Sequence, residues 1–297
     1  MDNRKWWNQL DDNWKTVFKK TIEIEAEPTD SDLERIFNLH KLDCSFNRSI
    51  HDLEPLRALT NLQTLNCSFN DISDLESLRA LTNLQVLDCS ENQLSDLEPL
   101  RALTNLEKLY CHSNKLSDLE PLRALTNLQV LSFSGHWDNK GKVSSLEPLR
   151  ALTNLQVLHC DSNQLSDLEP LCSLTNLQVL HCHKNQLSDL EPLCSLTNLQ
   201  VLYCGDNQLS NLEPLRALTN LQVLYCSENQ LSDLKPLCSL TNLQKLDCSE
   251  NQLSDLKPLS TLTNLQTLYC EGNKISLWNI RKFKKAVPNC EVEEKIW

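Results

Sequence analysis

Four residues of this chain could bring chemistry together: His159, Asp161, His181 and His183. His159 and His181 lie 22 positions apart, as do Asp161 and His183. If 22 residues carry the chain to the equivalent place on a neighbouring strand, the four side chains form a two-by-two block on one face. Neighbours would then be about 5 to 7 Å apart, within reach of a shared divalent metal. Histidines in an open binding patch are commoner than an unannounced zinc site, so the block is read as part of a recognition surface with no metal assigned. Cys44, Cys67, Cys89, Cys111, Cys160, Cys182, Cys204, Cys226, Cys248 and Cys270 share one column of the same period. Side by side on strands about 4.8 Å apart, they are badly placed for disulfides and suit a core of small thiols, which implies a reducing compartment. Cys172 and Cys194 fall on the back turns, where most repeats have Arg. No G-x-S-x-G, H-E-x-x-H or paired C-x-x-C occurs, and 4 glycines leave little for a phosphate loop. The chain is therefore read as a non-enzyme with no catalytic residues and no cofactor.

The elements that position these residues are written in the repeat. Residues 84–105 read LQVLDCSENQLSDLEPLRALTN, and the pattern returns from Leu39, Leu62, Leu84, Leu106, Leu128, Leu155, Leu177, Leu199, Leu221, Leu243 and Leu265. The step is 22 residues except for the first, of 23, and the one from Leu128, of 27. The segment Val-Leu-Asp-Cys alternates with period two, as a strand does when Leu and Cys point inward. Its frame, L-x-x-L-x-C-x-x-N-x-L-x-x-L, resembles the bacterial leucine-rich repeats of internalin type. It is also similar to the repeats of the regulatory subunit of protein phosphatase 1. That resemblance implies an α/β repeat fold, a right-handed leucine-rich-repeat solenoid. Its parallel β-sheet would line the concave face, with short helical or irregular convex turns and helical caps. It also implies that the Asn column satisfies turn backbone that would otherwise be buried unpaired. Cys stands where the family usually has the third strand Leu.

Stacked repeats expose core at both ends, so caps are required. Trp6, Leu10, Trp14, Val17, Phe18 and Ile22 predict an amphipathic cap helix; Ile280 to Val287 predicts a closing helix, stopped by Pro288 and followed by a strand around Cys290 and Val292. The expected organisation is a cap over 1–32, eleven repeats over 33–275 with an insertion at about 134–142, and a cap over 276–297.

The scaffold is uniform, but its outward strand column is not. One residue before each core Cys it carries Tyr110, His159, His181, Tyr203, Tyr225, Asp247 and Tyr269, so every Tyr of the chain lies in this column. Val179 and Val201 flank it, His183 lies beyond it, and Trp137 sits in the insertion. Such a patch marks an interface, and Tyr is enriched at binding hot spots. The net charge of -12 argues against nucleic acid and against anionic membranes. The N-terminus shows no apolar leader and no apolar run approaches a membrane span. The expected function is a cytoplasmic, monomeric scaffold that binds a protein or peptide on its concave face. Two rivals stay open: a regulatory subunit of an enzyme such as a phosphatase, and an exported effector or adhesin of internalin type released by a non-classical route.

Overall fold

The computed structural model describes residues 2–136 and 141–293. The chain falls into two compact units, Met1–Lys142 and Val143–Trp297. The first holds helices α1 (Asn3–Gln9), α2 (Asp12–Thr21) and α3 (Asp30–Phe37), then strands β1 (Lys41–Asp43), β2 (Thr64–Asn66), β3 (Val86–Asp88), β4 (Lys108–Tyr110) and β5 (Val130–Ser132). The second holds β6 (Val157–His159), β7 (Val179–His181), β8 (Val201–Tyr203), β9 (Val223–Tyr225), β10 (Lys245–Asp247) and β11 (Thr267–Tyr269), closed by helix α4 (Leu277–Ala286) and strand β12 (Glu291–Glu293). Within each unit consecutive strands pair in parallel with equivalent residues opposite, as in Asp88 with Tyr110 and His181 with Tyr203. This is a leucine-rich-repeat solenoid, one short strand per repeat. Among the described residues no helix is long and apolar enough to cross a membrane.

The architecture follows from how each repeat buries its apolar side chains. Leu84, Leu87, Cys89, Leu94, Leu97, Leu100 and Leu103 are all 1% exposed or less. Each buried Leu is worth roughly 2 kcal/mol, and only stacking on neighbours removes it from water. On the far side of the core, Asp96 accepts a hydrogen bond from the Glu98 amide (2.8 Å) and Pro99 opens a short 3₁₀ turn, Glu98–Ala102. The acid and the proline act here as the sequence suggests, satisfying and pre-setting the turn's start.

Between strand and turn the Asn column does the structural work. Asn92 Nδ2 donates to the carbonyls of Cys67, Cys89 and Ser90 at 3.0–3.2 Å, and its Oδ1 accepts from the Ile72 amide at 2.9 Å. The residue before each such Asn is left-handed: Phe46, Phe69, Glu91, Ser113, Ser162, Lys184, Asp206, Glu228 and Glu250 have φ of 49 to 56°. Only Gly272 in this column is a glycine, with φ 65°, and a Cβ there would meet the Glu250 carboxylate at 2.3 Å. Each non-glycine residue in this region costs about 1–2 kcal/mol, which the Asn hydrogen bonds and the core must outweigh.

The N-terminal cap differs from expectation in two ways. The N-terminal cap is not one helix but two: Asp11 caps a new start by accepting from the Trp14 amide at 2.8 Å, so α1 ends before Leu10. A third helix, α3, begins at a Thr29–Asp32 capping box and packs on α1. At the other end α4 is capped by Ser276 and buries Ile280 and Phe283, but Trp278 is 67% exposed, with the Lys282 ammonium 4.9 Å from its ring.

Candidate binding surface

Strands β6 to β9 bring four rings of the outward column into one stack. His159 lies on His181 with centroids 4.1 Å apart and planes 5° from parallel. His181 lies on Tyr203 at 4.2 Å and 3°, and Tyr203 on Tyr225 at 4.5 Å and 16°. The register explains the stack, because these residues are direct partners across parallel strands. Both faces of His181 and of Tyr203 are thus covered by neighbouring rings. What the column offers outward is ring edges, with their imidazole nitrogens and phenol oxygens. Val157, Val179, Val201 and Val223 run beside it in the same register, all half-buried.

Asp161 and His183 sit one step further along the same face. His183 Nε2 is 3.6 Å from the Asp161 carboxylate, and its ring is tilted by 60° to His181 and 58° to Tyr203. His183 Nδ1 is enclosed without a hydrogen-bond partner among the described residues. The two-by-two block expected from the spacing therefore exists, but its rings stack or tilt rather than converge. No group of three or more His, Cys, Asp or Glu among the described residues is arranged to hold a metal. Burial pushes the His181 imidazole down to about 4; His159 and His183 add to this, and Asp161 opposes it. Burial, with Tyr203, Tyr269 and Asp247 nearby, pushes the Tyr225 phenol up.

Other expected site residues lie outside the stack. Asp247 stands between Tyr225 and Tyr269, and its carboxylate is held by the Ser249 amide and hydroxyl. Tyr110, in the first unit, stands between Asp88 and Ser132. Trp137 lies outside the described residues. The neighbouring His136 is described, with its Nε2 3.9 Å from Glu91.

The ten core cysteines are at most 4% exposed, and all fourteen cysteines are free. Burial pushes the Cys44 and Cys111 thiols up to about 12 and raises most of the others in the column, so they are poor nucleophiles. Several donate weakly across strands, as Cys160 Sγ does to the His181 carbonyl at 3.3 Å. A cleft of about 860 Å³ beside α1 is lined by Trp6, Leu10, Trp14, Ile50 and Pro55. Its acids Asp2, Asp11 and Asp52 are taken up by backbone amides. Sequence reasoning missed a second ring pair: Phe46 and Phe69 are exposed and stacked at 4.3 Å. The available signal was Phe before the repeat Asn, where later repeats have polar residues or Gly.

A model of leucine-rich repeats taken two copies at a time matches ten overlapping stretches from 37–80 to 241–282. No curated protein matches. Among solved structures, the chain is similar to an internalin, InlF, from Listeria monocytogenes, with 27% identity over 98% of this chain and 92% of that one and a TM-score of 0.82. It is also similar to the functional domain of InlJ from Listeria monocytogenes, described as including a cysteine ladder, with 25% identity over 98% and 69% of the two chains and a TM-score of 0.73. A leucine-rich-repeat protein of Leptospira interrogans matches with 25% identity over 91% and 82% and a TM-score of 0.66. The repeat match spans most of the sequence and the stacked strands obey it, so this chain belongs to the leucine-rich-repeat family, whose internalin-type members are in general non-catalytic binding scaffolds.

Proposed function

We propose that this protein binds a protein or peptide through the outer face of β6 to β9, with the His159–His181–Tyr203–Tyr225 stack as its centre. The observation that carries the reading is that stack. Rings fixed by their neighbours lose little side-chain entropy on binding, and their polar edges all meet the partner from one side. The Val row offers an apolar floor beside them. Because the ring faces are already used, recognition runs through edge hydrogen bonds and apolar contact rather than through stacking on a planar ligand. His183, Asp247 and Tyr269 are accessory positions in this reading. In this reading the partner is neither nucleic acid nor membrane, the chain acts as a monomer, and the free buried thiols favour a reducing compartment.

The test is a pull-down from lysate followed by affinity measurement on the captured partner. Tyr203→Ala and Tyr225→Ala should each weaken binding by roughly 1–3 kcal/mol, while Arg101→Ala on the back turn should leave it unchanged. Affinity that survives both Tyr variants and collapses with Arg101→Ala sinks the proposal. The likeness to internalins favours one second reading, an exported adhesin. Recovery of the intact protein from the culture medium of unlysed cells would establish that reading over a cytoplasmic one.

A further inference from the structure

Phe46 is 73% exposed and Phe69 40% exposed, and the two rings lie 10° from parallel at 4.3 Å. Both residues are left-handed, with φ of 56° and 55°. That conformation is rare for bulky side chains. The fold needs a left-handed residue before each Asn but does not need an aromatic one. The same column carries Glu91, Ser113, Ser162, Lys184, Asp206, Glu228, Glu250 and Gly272. Two large rings are thus held in water at strained positions where later repeats place polar residues or glycine. The left-handed backbone is common to the column and belongs to the fold, whereas the two aromatic side chains do not, and they point to a role outside it.

The surroundings select the partner. Residues 41–92 hold 8 acidic and 4 basic side chains, and setting aside the Glu54–Arg57 and Glu76–Arg79 pairs of the back turns leaves 6 acidic against Lys41 and Arg48. Asp43 and Asp88 stand on the outward strand positions of β1 and β3. In each, only Oδ1 is engaged, by the following Ser at positions 45 and 90, so Oδ2 is open. Glu91 is the next residue of the column after Phe69, and its side chain is 28% exposed with His136 Nε2 at 3.9 Å. In the two-ring stack each ring has only one face covered by the other ring, and both rings are exposed.

An exposed aromatic pair followed in its column by Glu91, on repeats whose outward strand positions include Asp43 and Asp88, fits a planar cation. Guanidinium stacks on aromatic faces and reaches carboxylates in a fork, and it is more weakly hydrated than an ammonium. Anionic lipid is repelled by the same carboxylates. We propose that Phe46 and Phe69, with Asp43, Asp88 and Glu91, form a second interaction surface that takes an extended, arginine-bearing peptide segment. The surface is independent of the His–Tyr stack and rests on different residues.

The full chain is titrated with short synthetic peptides alternating Arg with Ser, Lys with Ser, or Glu with Ser, and with phosphatidylcholine–phosphatidylglycerol vesicles. Affinities are measured, and the Phe and Tyr rings are followed by NMR. The Arg peptide should shift the Phe46 and Phe69 rings and bind at least about tenfold tighter than the Glu peptide, and more tightly than the Lys peptide. Phe46→Asn with Phe69→Asn should lower its affinity about tenfold or more without lowering the melting temperature, because Asn tolerates the left-handed region. Glu91→Gln should lower affinity severalfold with the rings intact, so the idea stays testable even if the double variant folds poorly. Equal binding of the Arg and Glu peptides overturns the proposal. So does full affinity in the double variant, or vesicle binding that depends on the two rings.

Discussion

Replacing His181 by Tyr keeps a ring in the stack, as Tyr203 and Tyr225 already do on the next strands, and removes the titrating group. In the native stack the imidazole is held down to about 4 against an ordinary value of 6.5. The unfolded chain therefore takes up this proton first. Stability from this site is complete above the unfolded value and is lost as pH falls through it, levelling off near 4 once the folded ring also protonates. At 1.36 kcal/mol per unit the full difference is worth about 3 kcal/mol, but the ring is only half-buried and solvent screens it, so about 1–2 kcal/mol is expected. Urea unfolding at about pH 7.5 and pH 5 should show the wild type losing about 1 kcal/mol more than His181→Tyr between the two conditions. Histidine-ring NMR should show His181 titrating near 4. Parallel losses in the two proteins, or a His181 resonance that titrates at 6.5, would refute the packing argument.

Asn207→Ala removes donors to the Cys182, Cys204 and Gly205 carbonyls and an acceptor for the Leu187 amide. With several enclosed backbone groups left unpaired it should cost about 3 kcal/mol or more in chemical denaturation. Cys204→Ala, at a fully buried site, should cost only about 1 kcal/mol because the lost volume is small. Thiol labelling of the native protein should reach Cys194, which is exposed, and spare the core column until the chain unfolds.

How much of this was legible follows from which quantity the period encodes. The 22-residue repeat fixes which residues are equivalent, so strand register, the inward Leu and Cys columns and the outward His and Tyr column could all be read. It does not fix ring orientation, so adjacency of His159 and His181 was legible but their face-to-face stacking was not. The left-handed column was hidden because Gly272 is its only glycine, and the usual turn signal is absent from the other nine positions. There the Asn network imposes the backbone and overrides local preference. The break between α1 and α2 was missed because Trp6, Leu10 and Trp14 keep a helical spacing across it, while Asp11 caps the second start.

The two proposed surfaces differ in what their rings do for the fold, and that difference separates them experimentally. The His–Tyr stack sits on unstrained strand positions, and each ring pair adds about 0.5–1.5 kcal/mol beyond its buried area. Tyr203→Ala therefore removes a partner contact and some stability together. The Phe pair sits on left-handed backbone, where Asn at position 69 relieves strain as it removes the ring. There strain relief of about 1–2 kcal/mol offsets the loss of one ring pair, so binding should fall with stability nearly unchanged, the signature of a side chain kept for function and not for the fold. If Phe69→Asn instead lowers stability as Tyr203→Ala does, the Phe stack is a packing device that closes the first repeats, and the arginine-binding assignment loses the strain argument on which it stands.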